Sequence, residues 1–371
     1  MKIRIPFLDL RKVNGEIESE LLAVFKSALE ASNYILGDKV REFESEYAQK
    51  FGTRYCAGVG NGLDALTLSL KSLNIGPGDK VLVPSNTYIA TWIAVSNTGA
   101  LPEPVEPDAA EQNIDPDKIV EKIDKNTKAI IPVHLYGLCA KMPVIMSIAN
   151  QYKLKVIEDN AQAHGARLGN LYTGSFGHCN ATSFYPGKNL GCLGDGGAVT
   201  TNDEEIYMRI CSLRNYGSAK KYINDEIGVN SRLDEIQAAF LSVKLKLITR
   251  SNEERIKIAK KYFERLSKIE EVELPSMKVD GSHVYHIYSI RTPNRNKLQE
   301  HLQKYGIQTL IHYPVPPHLQ KAYSHLNFRK GNFPIAESIA SQTLSLPIYP
   351  NLTDESTEFI CDKIEEYFIK K

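Results

Sequence analysis

Between Tyr55 and Thr201 the chain switches repeatedly between short apolar runs and stretches of helical period. Tyr55–Gly60 predicts a strand closed by glycine. Leu63, Leu66, Leu70 and Leu73 then recur at helical spacing and predict a helix over Gly62–Leu73. Gly76-Pro-Gly-Asp marks a turn. The pattern continues with a strand over Lys80–Pro84, a helix over Ile89–Asn97, a strand over Ala129–Val133, a helix over Val144–Tyr152, and a strand over Lys155–Glu158 that ends at Asp159. Ala181–Tyr185 and Gly197–Thr201 predict two further strands around a glycine-rich loop. This alternation implies an α/β fold with a mainly parallel sheet flanked by helices.

After Ser231 the pattern changes. Asp234–Leu247 and Asn252–Leu266 predict long helices, the second with Ile256, Ala259, Phe263 and Leu266 as its apolar stripe. Val284–Arg291 has strand composition, and Lys297–Tyr305 and Glu355–Phe368 are helical in period. A length of 371 residues suits two domains. We expect a large domain over 1–249 and a smaller α+β domain over 250–371.

Lys and Arg total 45 against 44 Asp and Glu, a net charge of +1. That balance excludes nucleic-acid or membrane binding driven by bulk charge. Pro6, Asp9 and Arg11 interrupt the opening segment before it reaches signal-peptide length. Six scattered cysteines form no CxxC pair, so reduced thiols and a cytoplasmic protein are expected. His283-x-x-His286 has no carboxylate or thiol partner nearby, and no metal is expected.

Gly187-Lys188 is not a Walker loop, because Thr182 stands where a glycine is required and Asn189 follows the lysine. Gly194-Asp-Gly-Gly is not a dinucleotide fingerprint. What remains is a lysine on a glycine-rich loop and an aspartate at a strand end. A lysine amine forms a Schiff base with an aldehyde cofactor, and an aspartate facing a pyridine nitrogen keeps it protonated. Gly60-Asn-Gly62-Leu63-Asp64 opens the first strong helix, where backbone N–H groups and the helix dipole favour a phosphate. Asn61 or Asp64 as a simple helix cap accounts for the same residues. Ser183 offers a hydroxyl to the phosphate, and Tyr88 offers a ring face for stacking or for core packing.

In order along the chain stand Ile5-Pro-Phe-Leu-Asp-Leu, Asn33-Tyr-Ile-Leu-Gly37, Asn61-Gly-Leu-Asp-Ala-Leu66, Gly76-Pro-Gly-Asp-Lys-Val81, Pro132-Val-His-Leu-Tyr-Gly137, Glu158-Asp-Asn-Ala-Gln162, Ser183-Phe-Tyr-Pro-Gly-Lys188 and Asn230-Ser-Arg-Leu-Asp-Glu. With this ordered set the chain resembles the DegT/DnrJ/EryC1/StrS family of pyridoxal-phosphate (PLP) sugar aminotransferases, of fold type I. The resemblance implies that Lys188 carries the cofactor and Asp159 pairs with its ring nitrogen. Gln162 would sit beside the ring hydroxyl and Tyr88 against the ring. Gly62, Leu63 and Ser183 would hold the phosphate, joined by Asn230 from the partner of an obligate homodimer. Leu63 can offer only its backbone N–H.

Within that family, His312-Tyr-Pro-Val-Pro-Pro-His and Gly228-Val-Asn-Ser-Arg are similar to the transaminases that make dTDP-3-amino-3,6-dideoxyhexoses. That likeness implies L-glutamate as donor and a dTDP-linked 3-keto sugar as acceptor. Tyr185, His312 and Tyr313 would face the sugar, and Lys220 and Tyr222 the diphosphate. A packed connector at His312-Tyr313 and a solvated loop at Lys220–Tyr222 are the structural alternatives. A 4-aminotransferase, a dehydratase and a non-catalytic nucleotide-sugar-binding regulator are the competing functions. Lys188 disfavours the dehydratase, whose family members carry histidine there.

Overall fold

The computed structural model describes residues 4–369. Seven strands form the main sheet: β1 (Tyr55–Val59), β2 (Lys80–Pro84), β3 (Leu101–Val105), β4 (Thr127–Ile130), β5 (Lys155–Asp159), β6 (Cys179–Ser183) and β7 (Gly197–Thr201). Their order is β1-β7-β6-β5-β4-β2-β3. From β6 through β3 neighbours pair in parallel, and β7 runs antiparallel to β1 and β6.

Successive strand residues alternate between two apolar layers, as the pleat requires. Val81, Val83, Ala129 and Ile157 join Trp92, Leu68 and Leu70 beneath the Gly62–Ser72 and Ile89–Asn97 helices. On the other face, Leu82, Ile130 and Val156 pack with Ile145 and Ala149 of the Met142–Tyr152 helix. Cys56 and Ala198 meet Phe43, Tyr47 and Leu241 from the Asp38–Phe51 and Glu235–Leu245 helices. Burial on both faces explains why these strands read as nearly continuous apolar runs.

A second core lies toward the C-terminus. The Ile248–Leu266, Arg295–Lys304 and Asp354–Ile369 helices enclose it with β8 (Tyr288–Arg291) and β9 (Thr343–Leu346), which pair antiparallel. Ile5 belongs to this core and bridges to Ile307, so the start of the chain returns to the C-terminal body.

Several expected elements differ in extent. β4 stops at Ile130, because Pro132 offers no backbone donor; Val133 makes only an isolated bridge, to Asp159. Of the expected Val284–Arg291 strand only Tyr288–Arg291 forms. The backbone of Val284 and Ile287 instead donates to the carbonyls of Gly137 and Tyr136. In the Ile248–Leu266 helix, Ile256 and Phe263 are only partly buried. The buried residues are Ile248, Asn252, Arg255, Ile258, Ala259, Tyr262 and Leu266, so the stripe read from the sequence shares Ala259 and Leu266 with the buried face, is rotated elsewhere, and misses two polar members. β3 went unread because Pro102 and Pro104 hide it, a composition tolerated at a sheet edge.

All six cysteines are free thiols. His283 stacks on Tyr285 at 3.8 Å between ring centroids. Among the described residues no helix is long and apolar enough to cross a membrane.

Candidate active site

The C-terminal ends of β2, β5 and β6 open onto a cavity of about 750 Å³. Residues of both bodies line it, from Phe7 and Gly62 to Arg255, His286 and Tyr313. Ligands of open α/β sheets bind at this end of the strands.

Asp159 closes β5 and is buried. Its Oδ2 accepts from the Thr91 hydroxyl at 2.9 Å and its Oδ1 from Ala161 N–H at 3.2 Å. Burial nevertheless raises its carboxyl above the usual range, against the pull of those bonds and of Lys188. A carboxylate so placed gains most from a cationic partner. Lys188 shares the cavity wall with it. Burial pushes the lysine amine down to about 8, while Asp159 pulls it up.

Asn61 caps the Gly62–Ser72 helix, its side chain accepting from Asp64 N–H at 2.8 Å. The capping account of this segment therefore holds for Asn61. It leaves the first-turn N–H groups of Gly62 and Leu63 without an acceptor among the described residues, and both residues border the cavity. A Cβ on Gly62 would lie 2.7 Å from Ser183 Cβ. Glycine thus lets the helix start pack closely against the end of β6, which sets Ser183 beside the first-turn N–H groups. Gln162 is fixed at both ends of its amide: Oε1 accepts from Tyr136 N–H at 2.7 Å, and Nε2 donates to the Tyr313 hydroxyl at 3.0 Å. Tyr88 stands 5.1 Å from Tyr313, ring centre to ring centre, at the cavity mouth.

Tyr185, His312 and Tyr313 also line the cavity. His312 Nδ1 pairs with Ser345 Oγ at 2.8 Å, and burial pushes its imidazole down to about 4, so it is neutral at physiological pH. Three of the candidate residues lie outside the cavity. Asn230 is exposed and bridges Asn215, Lys220 is exposed, and Tyr222 is 87% exposed with Lys221 over its ring.

Behind Asp159 lies a buried pair. His134 Nδ1 accepts from Ala140 N–H, so Nε2 carries the hydrogen and donates to Glu158 at 2.7 Å. Glu158 also accepts from the backbone of Gly174, Phe176 and Gly177, which leaves it well supplied with donors as a carboxylate.

Thr91 and Arg255 went unread in the sequence, and His286 was weighed only as half of a His-x-x-His metal pair. Thr91 lies three residues after Tyr88, one helical turn along. Arg255 betrays itself only as a charged residue on the buried line of its helix. His286 reaches the site through Asn189, next to Lys188, at 3.0 Å.

A lysine, a buried strand-end carboxylate, a bracketing glutamine and an open N–H cradle fit a flat, phosphate-bearing aldehyde on a pyridine ring. The fold and site define a PLP-dependent aminotransferase of fold type I. Residues 15–365 match the model of the DegT/DnrJ/EryC1/StrS aminotransferase family, and the chain belongs to that family. It is 51% identical to the dTDP-3-amino-3,6-dideoxy-alpha-D-galactopyranose transaminase of Aneurinibacillus thermoaerophilus, covering 98% of this chain and 99% of the relative. It is 45% identical to the dTDP-3-amino-3,4,6-trideoxy-alpha-D-glucose transaminase of Streptomyces venezuelae, with 98% and 96% covered. Among solved structures, S. venezuelae DesV in complex with a ketimine intermediate superposes with a TM-score of 0.96 at 44% identity, covering 99% of each chain.

Proposed function

We propose that this aminotransferase moves the amino group of L-glutamate onto the C3 keto group of a dTDP-3-keto-6-deoxyhexose, giving a dTDP-3-amino-3,6-dideoxyhexose. The observation that carries this reading is the near-full-length identity of 51% to a transaminase of that product class. PLP, when bound, supplies the carbonyl that takes up an amine and the ring that spreads the electron pair left at the donor's α-carbon. Lys188 anchors the cofactor and, once displaced, takes the proton from the donor α-carbon. An amine with its affinity lowered to about 8 keeps a usable unprotonated fraction near neutrality. Asp159, ionised and fixed by Thr91, holds the proton at the ring nitrogen. Gly62, Leu63 and Ser183 receive the phosphate, Tyr88 flanks the ring, and Gln162 faces the ring hydroxyl. Tyr185, His312 and Tyr313 border the sugar, and neutral His312 offers it a hydrogen bond without a charge.

The working unit in this reading is a cytoplasmic homodimer. Asn230, Lys220 and Tyr222 lie outside their own cavity and reach the partner's, Asn230 for the cofactor phosphate and the other two for the nucleotide diphosphate. Ile227, 91% exposed on the same segment, would be covered by that contact. We assign residues 1–249 to the cofactor body and 250–371 to the body that covers the sugar, with the Ile5 segment attached to the latter.

The test is incubation with glutamate and a panel of dTDP-keto sugars, followed by NMR of the product. An amine at C3 is expected, and an amine at C4 would overturn the regiochemistry. Lys188→Ala should abolish turnover; normal turnover in that variant would remove Lys188 from the mechanism.

A further inference from the structure

Arg255 is 3% exposed, yet it lines the cavity. All its bonds to protein leave from one nitrogen: Nη1 donates to the carbonyls of Ile348 at 2.7 Å, His286 at 3.3 Å and Tyr285 at 3.4 Å. Nε is enclosed with no acceptor. Nη2 has none either among the described residues. These two nitrogens form the edge of a guanidinium that grips a carboxylate with two parallel bonds. No carboxylate sits close enough to offset the burial, which lowers the affinity of Arg255 for its proton to about 10. Burial first, and then the charges of Lys188 and Arg255, push the His286 imidazole toward its neutral form. A buried cation with two unpaired nitrogens in a basic cavity wall is costly unless an anion comes to it.

The reaction brings anions to the site. The cofactor phosphate has the helix-start N–H groups and Ser183, on other elements. The sugar's diphosphate is matched by exposed loop residues. The amino donor's carboxylate has no other assigned partner, and it must lie within a few bonds of the carbon that Lys188 deprotonates. We propose that the Nε–Nη2 edge of Arg255 is the binding site for a carboxylate of the amino-acid donor. The inference rests on the aminotransferase reading with an α-amino acid donor. It implies alternating occupancy: the edge is filled when the amino acid is bound, and faces water or sugar hydroxyls in the second half of the cycle. Asn252, one turn earlier on the same helix, donates to His164 O and accepts from Asn189, so the arginine's helix is tied to the lysine loop.

The test compares cofactor-loaded wild type with Arg255→Lys and Arg255→Gln. Arg255→Lys keeps a cation able to hold the Ile348 carbonyl and loses the fork. Single-turnover absorbance follows conversion of the aldehyde form by L-glutamate; the reverse half-reaction is followed with the amine form and keto sugar. Calorimetry with glutarate, an unreactive dicarboxylate, reads binding without turnover. Half-saturation for glutamate should rise at least ~30-fold in both variants, and glutarate affinity should fall in parallel. The sugar half-reaction should stay within about 3-fold of wild type. Unchanged glutamate and glutarate affinity would overturn the assignment. So would an equal loss in both half-reactions, because it would mark Arg255 as a structural clamp for Ile348 and His286. If wild type itself converts with no amino acid while binding glutarate through Arg255, the aminotransferase reading fails and the anion site stands.

Discussion

The Thr91 hydroxyl donates to Oδ2 of Asp159 over 2.9 Å, joining the Ile89–Asn97 helix to the end of β5 across 68 residues of chain. This bond works against burial, which raises the Asp159 carboxyl. In the proposed mechanism, ionised Asp159 is the form that would keep the ring nitrogen protonated. Thr91→Val removes the donor and should raise the carboxyl further, so the acidic limb of the kcat/KM profile should move to higher pH. At optimal pH kcat should fall roughly tenfold, the scale of one hydrogen bond to a charged group. An unmoved acidic limb in the variant would separate Thr91 from the state of Asp159.

In the proposed function Gly62 lets the helix start and Ser183 close in on one phosphate. Gly62→Ala places a methyl 2.7 Å from Ser183 Cβ and forces the helix start and the end of β6 apart. Affinity for PLP, measured by equilibrium dialysis, should fall by about 1.4–2.7 kcal/mol, or roughly ten- to a hundredfold. Melting of the cofactor-free protein should fall as well, because Ser183 at the end of β6 must give way to the new methyl, so PLP affinity is read on protein shown to be folded. Equal PLP affinity would place the phosphate elsewhere.

Lys188 links stability to pH in the cofactor-free protein. Its folded affinity, about 8, lies below the ordinary 10.5. Below pH 8 the amine is protonated in both states and folding bears the cost of burying the charge. Between pH 8 and 10.5 the unfolded chain binds more protons, so stability rises with pH and the cost disappears above that window. Lys188→Met should therefore melt higher than wild type at pH 7, and the gap should shrink toward pH 10.5. A gap independent of pH would mean that the amine is fully hydrated in the cavity.

Glu158 is buried with four donors aimed at its two oxygens, from His134 and three backbone N–H groups. Glu158→Gln turns one acceptor into a donor that faces donors. Destabilisation of about 3 kcal/mol is expected in denaturant unfolding, within the range for a broken buried polar network. A loss below about 1 kcal/mol would show that the loop at Gly174–Gly177 relaxes freely.

Local pattern carried much of the fold. Lys80–Pro84, Ile89–Asn97 and Gly197–Thr201 match their observed bounds because strong apolar periodicity and nearby turn residues act over a few positions. Residues whose structural role depends on packing were harder to read. β3 was masked by its prolines. The buried line of the Ile248–Leu266 helix includes Asn252 and Arg255, and a search for apolar periodicity passes over both.

By itself the sequence determined the alternating α/β plan, the lysine and strand-end aspartate, and the glycine that opens the helix start. These are set by side-chain chemistry and by contacts within one turn or one strand. Tertiary structure alone decided that Thr91 holds Asp159, that Asn189 ties the lysine loop to His286 across 97 residues, and that Arg255 meets the cavity with an unpaired edge. It also decided that Asn230, Lys220 and Tyr222 stand away from the cavity. Such relations arise when distant segments share one core, and the cost of burying a charge depends on which neighbours that core supplies.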